Sequence, residues 1–258
     1  MQAGESDGKP QNGTRRERVR EATATEIKHT ARRLLVSSGV AGVSLRAIAR
    51  DMGITAPGLY RYYCGLDDLL ASLQVDYFEE LTAQVRAAIA ALPDSDLDGQ
   101  TNAAARAFRE WAITYPAEFT LLFGPTASHH AGRSPNESAH NAGMRFGAVF
   151  FALFFRIWDE ERFTPPHEDE VPERLAQSLA PFAEAAAAEQ GATIPVGAMR
   201  VLTSVWVRLY GLICIEVFQQ LDYLVTDMQP LFEAELRDLL ASIGVQHRPP
   251  EGDTPATR

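Results

Sequence analysis

The chain has 258 residues, 46% of them hydrophobic, and a formal net charge of −10 at pH 7. That length exceeds one average domain, and the apolar share is enough for a sizeable core. Cys64 and Cys214 are its two cysteines; lying far apart without CxxC spacing, they exclude a disulfide framework and a cysteine zinc site, and they fit a reducing cytoplasm. The charge is divided unevenly. Residues 1–63 carry 11 Lys+Arg against 6 Asp+Glu, whereas residues 64–258 carry 13 against 28. A basic head on an acidic body points to a polyanion partner, nucleic acid, for the head alone. The N-terminal MQAGESDGKPQNGT is polar and does not read as a signal peptide. The run Gly147–Phe155 is far shorter than the roughly 18–20 apolar residues of a spanning helix, so no membrane partner is expected.

In chain order the sequence predicts helices almost without interruption, and the fold class is all-α. Residues 1–14 and 246–258, rich in Gly, Pro, Thr and charged types, read as disordered ends. A first helix is expected over Arg15–Ser37, with Ile27, Ala31, Leu34 and Leu35 as its apolar stripe and Gly39 as its end. Ser44 and Thr55 are N-cap types for two short helices that follow, and Pro57 sits in the first turn of the second. A long fourth helix spans about Leu66–Ala91, a fifth runs from about Asp98 to Tyr115, and a sixth covers Ala117–Phe123. Residues 124–135 read as loop. The seventh helix, about Asn136–Phe163, is apolar around most of its circumference and reads as buried. Three more follow, at about Pro172–Gln190, Val196–Leu221 and Met228–Ile243. The expected division is a helix-turn-helix domain over 15–65 and a helical ligand-binding and dimerisation domain over 66–245.

The stretch SLRAIARDMGITAPGLYRYY, Ser44 to Tyr63, carries the chemistry. Two short helices joined by a glycine-containing turn form a helix-turn-helix, whose second helix can lie in the DNA major groove. Unsatisfied N–H groups at the helix starts attract phosphate. Ser44 and Thr55 supply hydroxyls, Arg46 and Arg61 full positive charge, and Tyr60 and Tyr62 donors with little rotamer entropy to lose. Ala56 and Gly58 leave room for the backbone to approach the duplex. Thr55, Ala56, Gly58, Tyr60, Arg61 and Tyr62 are therefore expected to face DNA, and Leu59 and Tyr63 to pack with Ile48 and Leu69. The competing reading is an ordinary helical hairpin with solvated arginines.

The segment SLRAIARDMGITAPGLYRYYCGLDDLLASL resembles the helix-turn-helix signature of TetR/AcrR-type transcriptional regulators over about 60 residues, Arg16 to Leu73. The resemblance implies a homodimer in which each subunit puts Thr55–Tyr63 into one major groove. Further on, Trp206-Val-Arg-Leu-Tyr210-Gly211 is similar to the Trp-x-x-x-His-Gly element of one group of such regulators, with tyrosine in place of histidine, and Thr114–Gly124 also fits. One departure concerns phosphate contact. Family members commonly carry His-Phe-x-Ser-Lys where this chain has Tyr62-Tyr63-Cys64-Gly65-Leu66. Leu66 in place of the lysine implies about one phosphate contact fewer per subunit and a shallower salt dependence.

Aromatic residues at helical spacing are core by default. In the body, Phe108, Trp111, Phe119, Phe123, Phe150, Phe154, Trp206 and Tyr210 are nevertheless the candidate ligand contacts, with Phe146 and Trp158 in the same pattern. Arg109, Arg145, Arg208 and Glu216 interrupt the same apolar helices, and a mostly apolar cavity with a few polar groups describes a small-molecule site; they could equally pair with one another or face a dimer partner. His129 and His130 lack a third ligand at metal spacing, so no metal and no cofactor are expected. Without a glycine-rich phosphate loop, a nucleophile elbow or an HExxH pattern, an enzyme is not expected. Gly211 allows close helix approach, and together with what the family resemblance implies this makes the helices at 172–190 and 196–221 the expected dimer interface. The reading is a cytoplasmic, ligand-responsive repressor of a palindromic operator. Its rival is a ligand-sequestering or interaction protein of the same fold with weakened DNA binding.

Overall fold

A computed structural model describes residues 15–124, 137–190 and 194–250. The expected N-terminal arm 1–14, most of the 124–135 loop with His129 and His130, and residues 251–258 lie outside them. Among the described residues there are ten α-helices and no strand. They are α1 (Arg15–Gly42), α2 (Leu45–Asp51), α3 (Ala56–Leu59), α4 (Leu66–Ala90), α5 (Leu97–Thr114), α6 (Pro116–Phe123), α7 (Glu137–Asp159), α8 (Glu173–Gln190), α9 (Val196–Val217) and α10 (Met228–Ala241).

Chain punctuation accounts for the boundaries. At Gly39 the backbone takes φ +65°, ψ −177°, which kinks α1 where glycine was expected to end it, and a short further turn reaches Gly42. Pro116 opens α6, where its missing N–H costs nothing. Positive φ at Glu161 and Gln219 follows the ends of α7 and α9, so both helices stop short of the predicted Phe163 and Leu221. α7 also differs from expectation in its exposure. Ala142, Phe146, Val149 and Leu153 are buried along one face, but Met144 and Arg145 stand exposed on the other. Its glycines and alanines make the sequence look apolar all round, yet its first half is covered along one stripe only, while Phe154, Phe155 and Ile157 are buried further on.

α1–α3 form a small head whose core joins Ile27, Ala31, Leu35, Leu45, Ile48, Leu59 and Tyr63 to Leu69 and Leu73 at the start of α4. α4 continues into the body, where it packs between α5 and α7. Gly143 permits the α4–α7 approach, since a Cβ there would sit 3.3 Å from the Phe78 ring. The body extends past the expected boundary at residue 245. The Asn102 side chain donates to the Gln246 carbonyl at 2.8 Å and accepts the Arg248 N–H at 3.1 Å. His247 lies 2.7 Å from the buried Glu233. Residues 246–248 are therefore strapped to α5 and α10, because they help to satisfy the buried Asn102 and Glu233.

Candidate nucleic-acid interface and effector body

In the head, Ser44 behaves as its residue type predicts. Its Oγ accepts the Ala47 N–H at 3.1 Å and caps α2. Thr55 does not cap. Its carbonyl accepts the Gly58 N–H at 2.8 Å, while its hydroxyl bonds no backbone group. α3 is a single turn of four residues, and Tyr60–Tyr62 continue it as a turn rather than as the longer helix the sequence suggests. Arg46, Thr55, Tyr60 and Arg61 are exposed, Tyr60 by 60%, while Leu45, Ile48, Leu59 and Tyr63 are buried beneath them. Gly58 and Ala56 are half-buried. Tyr62 is half-buried and packs against the head core, so it stands partly apart from the exposed set. Arg33 ties α1 to the end of α2 through Asp51 at 2.6 Å.

Head and body meet along α1, α4 and α6. Lys28 pairs with Asp76 at 2.7 Å. Arg32 grips both oxygens of Glu80 at 3.0 and 3.1 Å and donates Nε to Glu118 at 2.8 Å. Burial works against the Arg32 charge, yet the bonds to Glu118 and Glu80 more than compensate and hold its pKa well above the usual range. Thr25, Lys28, His29, Arg32, Asp76 and Tyr77 line a cleft of about 480 Å³ beside this joint. Tyr77 is buried with its hydroxyl unpartnered, and burial pushes that phenol up. The joint was not read from the sequence, since its pairs lie 48 and 86 residues apart and charges of this kind usually mark solvated faces.

Six of the eight expected ligand contacts come together in the body. The Phe108 ring is stacked on Trp206, with centroids 5.9 Å and planes 3° apart, and Trp206 on Tyr210 at 6.2 Å and 7°. Phe119, Phe123 and Phe150 complete the contact network with Phe146 and Phe78. Phe123, Phe150, Trp206 and Tyr210 are half-buried; Phe108 and Phe119 are fully covered. Trp111 sits apart with Tyr115, and Phe154 belongs to a second cluster with Phe155 and Phe163. Phe78 was missed because it lies on the connecting helix, where an aromatic residue reads as ordinary core.

Two of the four interrupting charges pair with one another. Arg109 holds both oxygens of Glu216 at 2.6 Å, donates to Gln229 and lies 4.7 Å from the Phe232 ring centroid. Arg145 and Arg208 instead reach out to exposed Glu79 and Glu235. Among the described residues, no group of three or more His, Cys, Asp or Glu side chains could hold a metal ion.

Residues 27–73 match the family described as bacterial regulatory proteins, tetR family, and residues 101–239 match the tetracyclin repressor-like C-terminal domain. HTH-type transcriptional regulator Rv1816 of Mycobacterium tuberculosis is 36% identical over 242 residues, covering 91% of this chain and 97% of the relative. Its counterpart Mb1846 of Mycobacterium bovis matches equally. Among solved structures, the regulatory protein SCO4313 is 29% identical with a TM-score of 0.63, over 88% of this chain and 100% of that one. A Rhodococcus protein of unknown function, 15% identical with a TM-score of 0.62 over 93% of this chain and 100% of that one, shares the fold.

Proposed function

The chain belongs to the TetR family of DNA-binding transcriptional regulators, and from that premise we propose that it is a repressor, bound as a homodimer to a palindromic operator and released by a small, largely apolar molecule. The observation that carries this reading is the sorting of side chains around α2 and α3. Arg46, Thr55, Tyr60 and Arg61 are left in solvent by a head whose apolar residues are spent on its own core. Ser44, Ala56, Gly58 and Tyr62 flank them as backbone and packing contacts. Residues 15–65 are the DNA-binding unit, and the body runs from residue 66 to Arg248.

The dimer is built from α8 and α9. By length and composition α9 could cross a membrane, with mean hydropathy 1.5 over 18 residues, yet only 28% of that window is buried by its own chain. Val207 on α9 and Phe182 on α8 are 59% and 60% exposed, and a Cβ at Gly211 would meet nothing within 4 Å. Apolar helical surface of this extent needs a cover. A second copy supplies it as a four-helix bundle, and the protein works where its DNA is, in the cytoplasm.

The effector site is the aromatic cluster of Phe108, Phe119, Phe123, Phe150, Trp206 and Tyr210. Tyr210 stands where the Trp-x-x-x-His-Gly group carries histidine. An effector must bind one arrangement of the body more tightly than the other, and it acts by moving the heads off the ~34–36 Å spacing of successive major grooves. The test is a screen of apolar and aromatic compounds against the preformed operator complex. A compound that releases DNA, and whose affinity drops with Trp206→Ala, supports the reading. Compounds that bind this cluster tightly and leave operator affinity unchanged contradict it.

A further inference from the structure

α1 outruns the core that holds it. Ile27 is its first buried residue, and residues 15–22 are exposed. Twelve residues, about 18 Å of helix, precede Ile27. Within that stretch Thr23 and Thr25 donate their hydroxyls to the carbonyls of Val19 and Glu21, bonds internal to α1. The stretch stays helical because it extends a helix already nucleated on the head core.

Two of its arginines continue the packed face. Ile27, Ala31 and Leu35 form the stripe that α1 lays on the head. Arg20 and Arg16 lie seven and eleven residues before Ile27, within about 20° of that stripe at roughly 100° per residue. The face that is apolar where α1 packs on its own chain thus turns cationic where α1 runs past it. Arg15 and Arg18 are exposed too, but about 120° and 180° away round the helix.

The register against α4 shows where this cationic face lies. Lys28 meets Asp76 and, four residues on along both helices, Arg32 meets Glu80. α1 and α4 therefore run in the same direction with an offset of 48 residues. Ten residues back, about 15 Å, that offset sets Arg18 level with Leu66, the first residue of α4. Arg16 and Arg20 straddle this level. Leu66 brings no charge to it, and the exposed Tyr60 and Arg61 come just before Leu66 in the chain.

We propose that Arg16 and Arg20 grip the phosphate backbone of the duplex beside the half-site that the α3 turn enters. The inference rests on the DNA-binding dimer proposed above and adds a contact from outside the helix-turn-helix. Arginine suits that role, since its planar fork can bind two phosphate oxygens at once. Such contacts add affinity and fix the placement of the protein without reading sequence.

The test uses the full-length protein and the duplex it selects from a random library, with affinity measured across a salt series. Arg16→Ala combined with Arg20→Ala should weaken binding at least about tenfold at about 0.1 M salt. It should also flatten the slope of log K against log salt by about 0.9 per contact, about 3.6 for two arginines in each of two protomers. Alanine at both positions keeps the helix. Arg16→Lys combined with Arg20→Lys preserves the charge and should recover most of the slope, and all three proteins should select the same sequence. Arg15→Ala combined with Arg18→Ala removes the same charge from the other side and should flatten the slope by less than half as much. Equal losses from the two alanine pairs, or an unchanged slope, overturn the proposal. A changed sequence preference overturns it as well, by making the arginines base readers. If the unmodified protein selects no sequence, the DNA-binding reading fails and this inference with it.

Discussion

Arg32 and Glu118 are separated by 86 residues in the sequence and by 2.8 Å in the fold. One belongs to the first helix of the DNA-binding head and the other to the short helix under the aromatic cluster. A hydrogen-bonded ion pair thus joins head and body alongside the covalent link through α4.

Arg61 is the exposed cation of the α3 turn. If it reads a base, Arg61→Ala costs about 1–3 kcal/mol at the selected site and relaxes specificity at one position. If it grips phosphate, affinity falls equally on all sequences and the salt slope drops by about one unit per protomer. Fluorescence anisotropy across a salt series separates the two outcomes. A variant that binds like the unmodified protein would remove Arg61 from the interface.

Leu66 opens α4 where the helix-turn-helix signature that the sequence resembles commonly has lysine, and it is only partly buried. Leu66→Lys should tighten operator binding at low salt and steepen the dependence of log K on log salt by about 0.9 per added contact. An unchanged slope would mean that the start of α4 stands away from the duplex.

Leu59 is fully buried in the head and Tyr60 beside it is mostly exposed. Leu59→Ala should cost about 2–5 kcal/mol of head stability and abolish DNA binding by unfolding the head. Tyr60→Ala should leave stability within about 0.5 kcal/mol and act on DNA affinity alone. Chemical denaturation run beside the binding assay checks both.

The Arg109–Glu216 pair is nearly closed to solvent, with both side chains 12% exposed. Truncating one partner, as in Glu216→Ala, should cost about 3–5 kcal/mol because it strands the other charge. Replacing both, with Arg109→Met and Glu216→Leu, should recover most of that loss. If the single variant is neutral in urea unfolding, the pair is more solvated than its geometry implies.

Glu233 supplies the pH dependence. Burial raises its pKa, but the hydrogen bonds from Arg106 at 2.8 and 2.7 Å and the contact with His247 outweigh burial and hold the carboxyl below its usual range. A carboxylate depressed in the folded state adds stability above its unfolded pKa of roughly 4.3 and loses it as pH falls through the lower folded value. Thermal melts from pH 7 downward should therefore show stability falling below about pH 4.3. Glu233→Gln should be less stable at neutral pH and lose that part of the acid dependence. Parallel curves for the two proteins would contradict the assignment.

The helices and the recognition segment were legible in the sequence because period, caps and prolines act locally. Ser44, Pro116 and Gly39 each mark a boundary within a few residues. The length of α3 was not legible, because Tyr60–Tyr63 have acceptable helix propensity and the packing of Tyr62 and Tyr63 against the head core leaves no trace in that propensity. The tail looked disordered by composition, yet Gln246–Arg248 are drawn in by Asn102, 144 and 146 residues away, and by Glu233, 14 residues from His247. Long-range pairs of charges leave no periodic trace, which is why Arg32, Glu80 and Glu118 were not recognised as a joint. The aromatic cluster was half visible. Its rings were identified, but which of them meet depended on how α5, α6, α7 and α9 cross.

The most direct test of the account is selection of bound sequences from a random duplex library by the purified full-length protein, repeated across a salt series. The account predicts enrichment of a two-fold symmetric sequence whose half-sites lie about one helical turn apart, and weaker binding of that sequence by Arg61→Ala. Weak binding without sequence preference at every salt concentration would contradict it.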